Sequence, residues 1–187
     1  MREKFYQSNH YQKLRGQYSV DVTLESLGGV PVEIITPCEG VSEQNTHRIF
    51  INFHGGGFQS GSRTVSQIES VPVASLGRIK VVSVDYRMFP DYRHPAALED
   101  AYAVYTALLE RYEPGAIGLI GTSSGAQLAA QLIYRLLEEG QPIPCAVAMI
   151  AEAAEKLEGD SIALMRPVFH AQTSENLDDA IAMGYFE

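Results

Sequence analysis

The pentapeptide Gly121-Thr122-Ser123-Ser124-Gly125 constrains the fold more than any other feature of this chain, because of what flanks it. Ahead of it runs Ala116-Ile117-Gly118-Leu119-Ile120, a short apolar stretch without polar alternation. Behind it Leu128, Leu132, Ile133, Leu136 and Leu137 recur at spacings of a helix until Gly140, a natural stop. A strand that turns straight into a helix through G-x-S-x-G lifts the central serine to a strained, exposed apex. It needs glycine on both sides, because a side chain there would strike the neighbouring strand or helix. A serine-rich helix cap is the plain alternative for the same residues.

The rest of the chain repeats this strand and helix alternation. Val20 to Leu24 alternates with period two, Gly28-Gly29 signals a turn, and Val30 to Ile35 follows until Pro37, which reads as a hairpin. Arg48 to Phe53, Lys80 to Asp85 and Cys145 to Ile150 are short apolar runs of the kind buried on both faces of a sheet. Leu98, Tyr102, Tyr105, Leu109 and Tyr112 trace one face of a helix that starts at Pro95 and ends before Pro114. Strands alternating with amphipathic helices imply right-handed crossovers and a mostly parallel sheet, an α/β fold. One domain over residues 1–187 is expected: a tyrosine-rich, cap-like segment over 1–18 with one helical face, a core over 19–151, and an acidic, cap-like helical tail over 152–187.

Composition narrows the function classes. With 187 residues and 45% apolar residues the chain can bury one sizeable core. Its net charge of −9 repels phosphate backbones and anionic headgroups, so nucleic acid and membrane surfaces are poor partners. The first ten residues lack the apolar stretch of a signal peptide, and a cytoplasmic location is expected. Cys38 and Cys145 are too few for a disulfide scaffold and stand outside metal-ligand spacing; they read as two buried small hydrophobes, with no metal site.

A second motif, His54-Gly55-Gly56-Gly57-Phe58, also follows directly on an apolar run. Three consecutive glycines are costly in entropy, so close backbone approach explains them better than chance. A flexible turn is the plain alternative; a phosphate loop is disfavoured, because neither Gly-Lys-Ser/Thr nor G-x-G-x-x-G is present. Together with Asp85-Tyr86-Arg87, Pro90 and Pro95-Ala96-Ala97-Leu98-Glu99-Asp100, these motifs resemble the α/β-hydrolase fold, specifically the hormone-sensitive-lipase-like esterases, from the first hairpin to about residue 150. Ser124 and Ala126 depart from the Ser-Ala-Gly-Gly of most relatives. The resemblance implies Ser123 as nucleophile, the amides of Gly55, Gly56 and Ser124 as an oxyanion hole, and no cofactor. His54 is read as a structural histidine holding the glycine loop. Asp85, Arg87, Glu99 and Asp100 are read as a supporting polar network, with a solvated charge as the alternative for Glu99, and Phe58 as either a pocket wall or core packing.

An acyl-transfer serine also needs a base and an orienting carboxylate, in this fold in the order Ser, Asp or Glu, His. After Ser123 the only histidine is His170, and Asp160 precedes it, so that order is formally met. No strand pattern carries either residue, and the last two strands of the resembled fold are expected to be missing. Two readings follow: a carboxylic-ester hydrolase acting on short acyl esters through an acyl-serine, of which this chain is the nucleophile-bearing part, or a non-catalytic small-ligand-binding module derived from it. A sheet edge left open at Ala146 to Ile150 would pair copies of the chain into a homo-oligomer.

Overall fold

A computed structural model describes residues 2–150. The expected tail over 152–187, including Asp160 and His170, lies outside the described residues. Six strands form one sheet in the order β1-β2-β4-β3-β5-β6. The hairpin β1 (Val20–Leu27) and β2 (Val30–Pro37) is antiparallel, with Leu27 opposite Val30 across the Gly28-Gly29 turn, and β2 runs antiparallel to β4 (Lys80–Val84). From there β4, β3 (Ile49–Phe53), β5 (Ile117–Thr122) and β6 (Ala146–Ile150) are all parallel. The mostly parallel α/β fold read from the sequence is therefore the fold observed.

Helices cover both faces. On one, α4 (Ala96–Leu109) and α5 (Ser124–Glu138) place Val104, Leu108, Leu128, Leu132 and Leu136 against Val32, Ile49, Ile51, Phe53, Val82 and Leu119. On the other, α2 (Asn9–Gln17) and α3 (Val65–Gly77) cover Val20, Ile35 and Val81 with Leu14, Val71 and Ala74. Alternation along β3 sends Ile51 and Phe53 to the first face and Phe50 to the second, so Asn52 also faces α3.

Four sequence expectations need correcting. Residues 2–17 form two helices, α1 (Arg2–Tyr6) and α2, because Ser8 takes an N-cap position and its hydroxyl accepts from Tyr11 N–H at 3.2 Å. Helix α3 has no counterpart in the apolar pattern: Ser66, Gln67 and Ser70 lie on its buried face and Pro72 sits inside it. Pro95 is the N-cap of α4, not its first turn. Cys38 and Cys145 are both exposed, since one follows the last residue of β2 and the other precedes β6, beyond the reach of either core.

Candidate active site

The chain leaves β3 to build α3 and β4 on one side of it, then returns through α4 to β5 on the other. The loops after β3 and β5 therefore meet at the carboxyl ends of adjacent strands, where the order reverses and crevices open in such sheets. Ser123 stands at this point with φ 53° and ψ −115°, a conformation that costs a non-glycine residue on the order of 1–3 kcal/mol. Its backbone N–H donates to Ile150 O at 2.8 Å, which fixes the turn to the end of β6.

The flanking glycines are dictated by packing. A Cβ on Gly125 would lie 1.8 Å from Phe53 O, and one on Gly121 would lie 2.5 Å from Gly125 O. Only glycine lets α5 start this close to β3. The same proximity brings the two motifs together: a Cβ on Gly55 would stand 3.5 Å from Ser123 Cβ and 3.1 Å from Thr122 O.

The three backbone donors named from the sequence fare differently. Among the described residues, the N–H groups of Gly56 and Ser124 have no protein acceptor, as is usual for the first turn of a helix in the case of Ser124. The Gly55 N–H, in contrast, donates to Glu69 Oε1 at 3.2 Å. Glu69 on α3 also accepts from Asn52 Nδ2 at 3.0 Å, and burial raises its carboxyl above the usual range, against the lowering effect of those two donors and of the nearby Thr122 hydroxyl. Sequence reading missed Glu69; the signal that could have found it is an acid one helical turn into a segment that directly follows the glycine loop.

His54 is fully buried, with its Nδ1 2.8 Å from Gly55 O and its ring stacked on Tyr86 at 4.4 Å between centroids. Burial lowers its pKa; because Gly55 O can only accept, Nδ1 carries the proton, and among the described residues Nε2 has no partner. The Tyr86 hydroxyl donates to His54 O at 2.6 Å, and burial pushes that hydroxyl's pKa up. Gly61, also missed, lies directly on this ring: a Cβ there would be 2.5 Å from His54 Nδ1.

Outside this shell, Asp85 accepts from Ser62 Oγ at 2.6 Å and pairs with Arg63, pinning the segment that links the glycine loop to α3. Asp100, buried at the start of α4, accepts from Arg87 N at 2.7 Å and pairs with its guanidinium at 2.8 Å. Glu99 does not join that network. Its half-exposed carboxylate pairs instead with Arg135 of α5 at 2.9 Å, because one residue along a helix turns the side chain by 100°. Phe58 combines both of its expected roles: it packs on the larger core and, with Arg87, Phe89, Tyr92 and Gln131, lines a cleft of about 540 Å³. Among the described residues no group of three His, Cys, Asp or Glu could hold a metal ion, and no helix is long and apolar enough to cross a membrane.

A strand-to-helix elbow bearing a serine, faced by a glycine loop, defines the α/β-hydrolase class, and comparison with known proteins agrees. The model of a family described as alpha/beta hydrolase fold matches residues 50–183, and the chain belongs to that family. Similar solved structures include esterase E25, with a TM-score of 0.71 and 30% identity over 83% of this chain and 47% of that one. Another is an esterase from the bacterial hormone-sensitive lipase family, with a TM-score of 0.67 and 26% identity over 83% and 51% of the two chains. Among curated relatives, a versiconal hemiacetal acetate esterase of Emericella nidulans is 33% identical over 65% of this chain and 41% of its own length. An acetyl-hydrolase of Streptomyces hygroscopicus is 32% identical over 70% and 46%. The chain thus spans less than half the length of these curated relatives.

Proposed function

We propose that this protein is a carboxylic-ester hydrolase for short acyl esters, working through an acyl-enzyme on Ser123. The observation that carries the reading is the juxtaposition at Ser123: a strained serine at the head of α5, its Cβ against Gly55, with the Gly56 and Ser124 N–H groups free of acceptors among the described residues. The relatives named above are esterases and an acetyl-hydrolase, which favours chemistry over ligand binding alone.

In this mechanism Ser123 Oγ attacks the ester carbonyl carbon as its proton passes to a base, and the carbonyl oxygen becomes an oxyanion. The amides of Gly56 and Ser124 and the positive end of the α5 dipole stabilise that charge where it develops. One such donor is worth on the order of 10²–10³ in rate. Collapse of the intermediate expels the alcohol, and water releases the acid from the acyl-serine by the same route. His54 is excluded as the base by its burial and its bond to Gly55 O; its role is to hold the loop. Within this chain the order nucleophile, acid, base is met by Ser123, Asp160 and His170. The cleft beside Phe58 offers aromatic walls for the substrate. Two unpaired, exposed cysteines suit a reducing, cytoplasmic setting.

The test is labelling with a fluorophosphonate, read by intact mass, alongside hydrolysis of p-nitrophenyl esters of increasing acyl length. One adduct, absent in Ser123→Ala, and faster turnover of the acetyl and butyryl esters than of long ones support the reading. Slower labelling in His170→Ala assigns the base. An unlabelled Ser123 in a folded protein refutes the proposal.

A further inference from the structure

Glu69 belongs to no step of the mechanism above, yet its carboxylate lies at the junction of three elements that build the site. It reaches from α3 to Asn52 of β3 and to the Gly55 N–H at the root of the glycine loop, with the Thr122 hydroxyl of the elbow close by. Asn52 is fully buried, and its one amide group also donates to Ser70 Oγ at 2.9 Å. The carboxylate is therefore held from behind by a side chain that cannot move away.

We propose that Glu69 is a positioning residue of the glycine loop: by accepting the Gly55 N–H it holds, together with the Tyr86 hydroxyl on His54 O, the peptide between His54 and Gly55, and so helps direct the Gly56 N–H to the oxyanion. This rests on the oxyanion role given to the loop above. Glycine peptides rotate at little steric cost, and three in a row have no preferred orientation of their own. The loop is anchored instead on both sides of one residue: Gly55 O lies 2.8 Å from His54 Nδ1 and Gly55 N lies 3.2 Å from Glu69 Oε1. With its carbonyl and its amide both held, residue 55 cannot turn, and the next amide in the chain leaves it in a defined direction. The same bond removes Gly55 from the oxyanion donors, so the donor set expected from the sequence shrinks to Gly56 and Ser124. Glu69 acts through Gly55 and touches no reacting atom.

The decisive variants are E69A, which removes the acceptor, E69Q, which keeps one oxygen for Gly55, and E69D, which withdraws the carboxylate by one methylene. In E69Q the new amide group is accommodated by a flip of Asn52, whose Oδ1 has no partner among the described residues. Two readouts are taken on the full chain. The first is fluorophosphonate labelling of Ser123, resolved into the maximal rate and the half-saturating concentration. A donor misplaced by about 1 Å loses on the order of 10²-fold. E69A is expected to lower the maximal rate by that order with the half-saturating concentration unchanged, E69D by less, and E69Q to restore it to within a few-fold. The second readout is the Gly55 amide resonance: downfield and slow to exchange in the wild type and E69Q, upfield and fast in E69A and E69D. An unchanged Gly55 resonance in E69A, or an unchanged maximal rate in a folded E69A, overturns the proposal. Where the wild type itself is not labelled, the reaction assigned to Ser123 has failed, and the Gly55 resonance alone still decides whether Glu69 holds the loop.

Discussion

Replacing Gly125 by alanine tests whether the elbow is set by backbone proximity. The added Cβ would lie 1.8 Å from Phe53 O, 2.5 Å from Phe53 C and 2.8 Å from His54 O, all backbone atoms of β3 and its exit. Ordinary contact begins near 3.4 Å, so α5 must retreat by about 1.6 Å, since the central strand, bonded to β4 and β5, cannot yield. That retreat opens the interface made by Leu128, Ala129, Leu132 and Leu136, all fully buried. Overpacking of a yielding core costs about 1–3 kcal/mol. With rigid backbone on both sides we expect about 4 kcal/mol, a fall in melting temperature on the order of 10 °C for a chain of this size. Gly16→Ala is the control: its Cβ meets nothing within 4 Å inside α2, so helix propensity should add about 0.5–1 kcal/mol of stability. Urea unfolding of the three proteins, followed by circular dichroism, reads the difference. A Gly125→Ala midpoint equal to wild type would show that α5 does not start in backbone contact with β3.

Other outcomes follow from the same structure. His54 is held below its ordinary value of 6.5, so as pH falls below about 6.5 the unfolded chain takes up a proton that the folded one refuses, and stability drops with a limiting slope of about 1.4 kcal/mol per pH unit. Denaturation midpoints between pH 7.5 and 5 should show a steeper loss in wild type than in His54→Gln, and equal slopes would contradict the burial argument. Cys38 and Cys145 should both react with an aromatic disulfide reagent in the folded protein; release of thiol only in denaturant would place them inside. The outer edge of β6 carries an exposed Ile150 and pairs with no strand among the described residues, so sedimentation velocity should show concentration-dependent association, and a monomer throughout would mean that this edge is covered.

Where a residue's role depends on local periodicity, the sequence was readable. The runs at Ile49, Lys80 and Ile117 are buried on both faces and carry no polar alternation to confuse them, and the α4 and α5 patterns keep their apolar face on one side. The two motifs were readable because glycine at a close approach leaves no substitute, as the contacts at Gly121 and Gly125 illustrate. Partnership was not readable. That Glu99 and Asp100 pair with different arginines depends on where α4 sits against α5 and against the β4 exit, which no spacing within the chain encodes. The same holds for Gly55, whose amide looked as free as that of Gly56 until α3 supplied an acceptor.

The helix that sequence reading missed is the one that serves the site, and the two facts have one cause. A surface helix announces itself by an apolar stripe. Helix α3 must bury polar atoms instead, because the face it turns to the sheet meets Asn52, and behind that the Gly55 N–H. Ser70 accepts from Asn52, Glu69 bridges Asn52 and Gly55, and Gln67 donates to Glu33 Oε1 at 2.6 Å and accepts from the Tyr11 hydroxyl at 2.7 Å. Val71 and Ala74 are the fully buried apolar residues of this helix, with Ile68 and Val73 packed partly buried beside them. Each polar residue on this face breaks the pattern by which a helix is detected, and Gln67, Glu69 and Ser70 stand where an apolar side chain would leave a buried donor or acceptor unpaired, at about 1–3 kcal/mol apiece. Local rules of folding fail here because the Gly55 amide of the glycine loop is held from within the protein, and an amide can be held only by an acceptor.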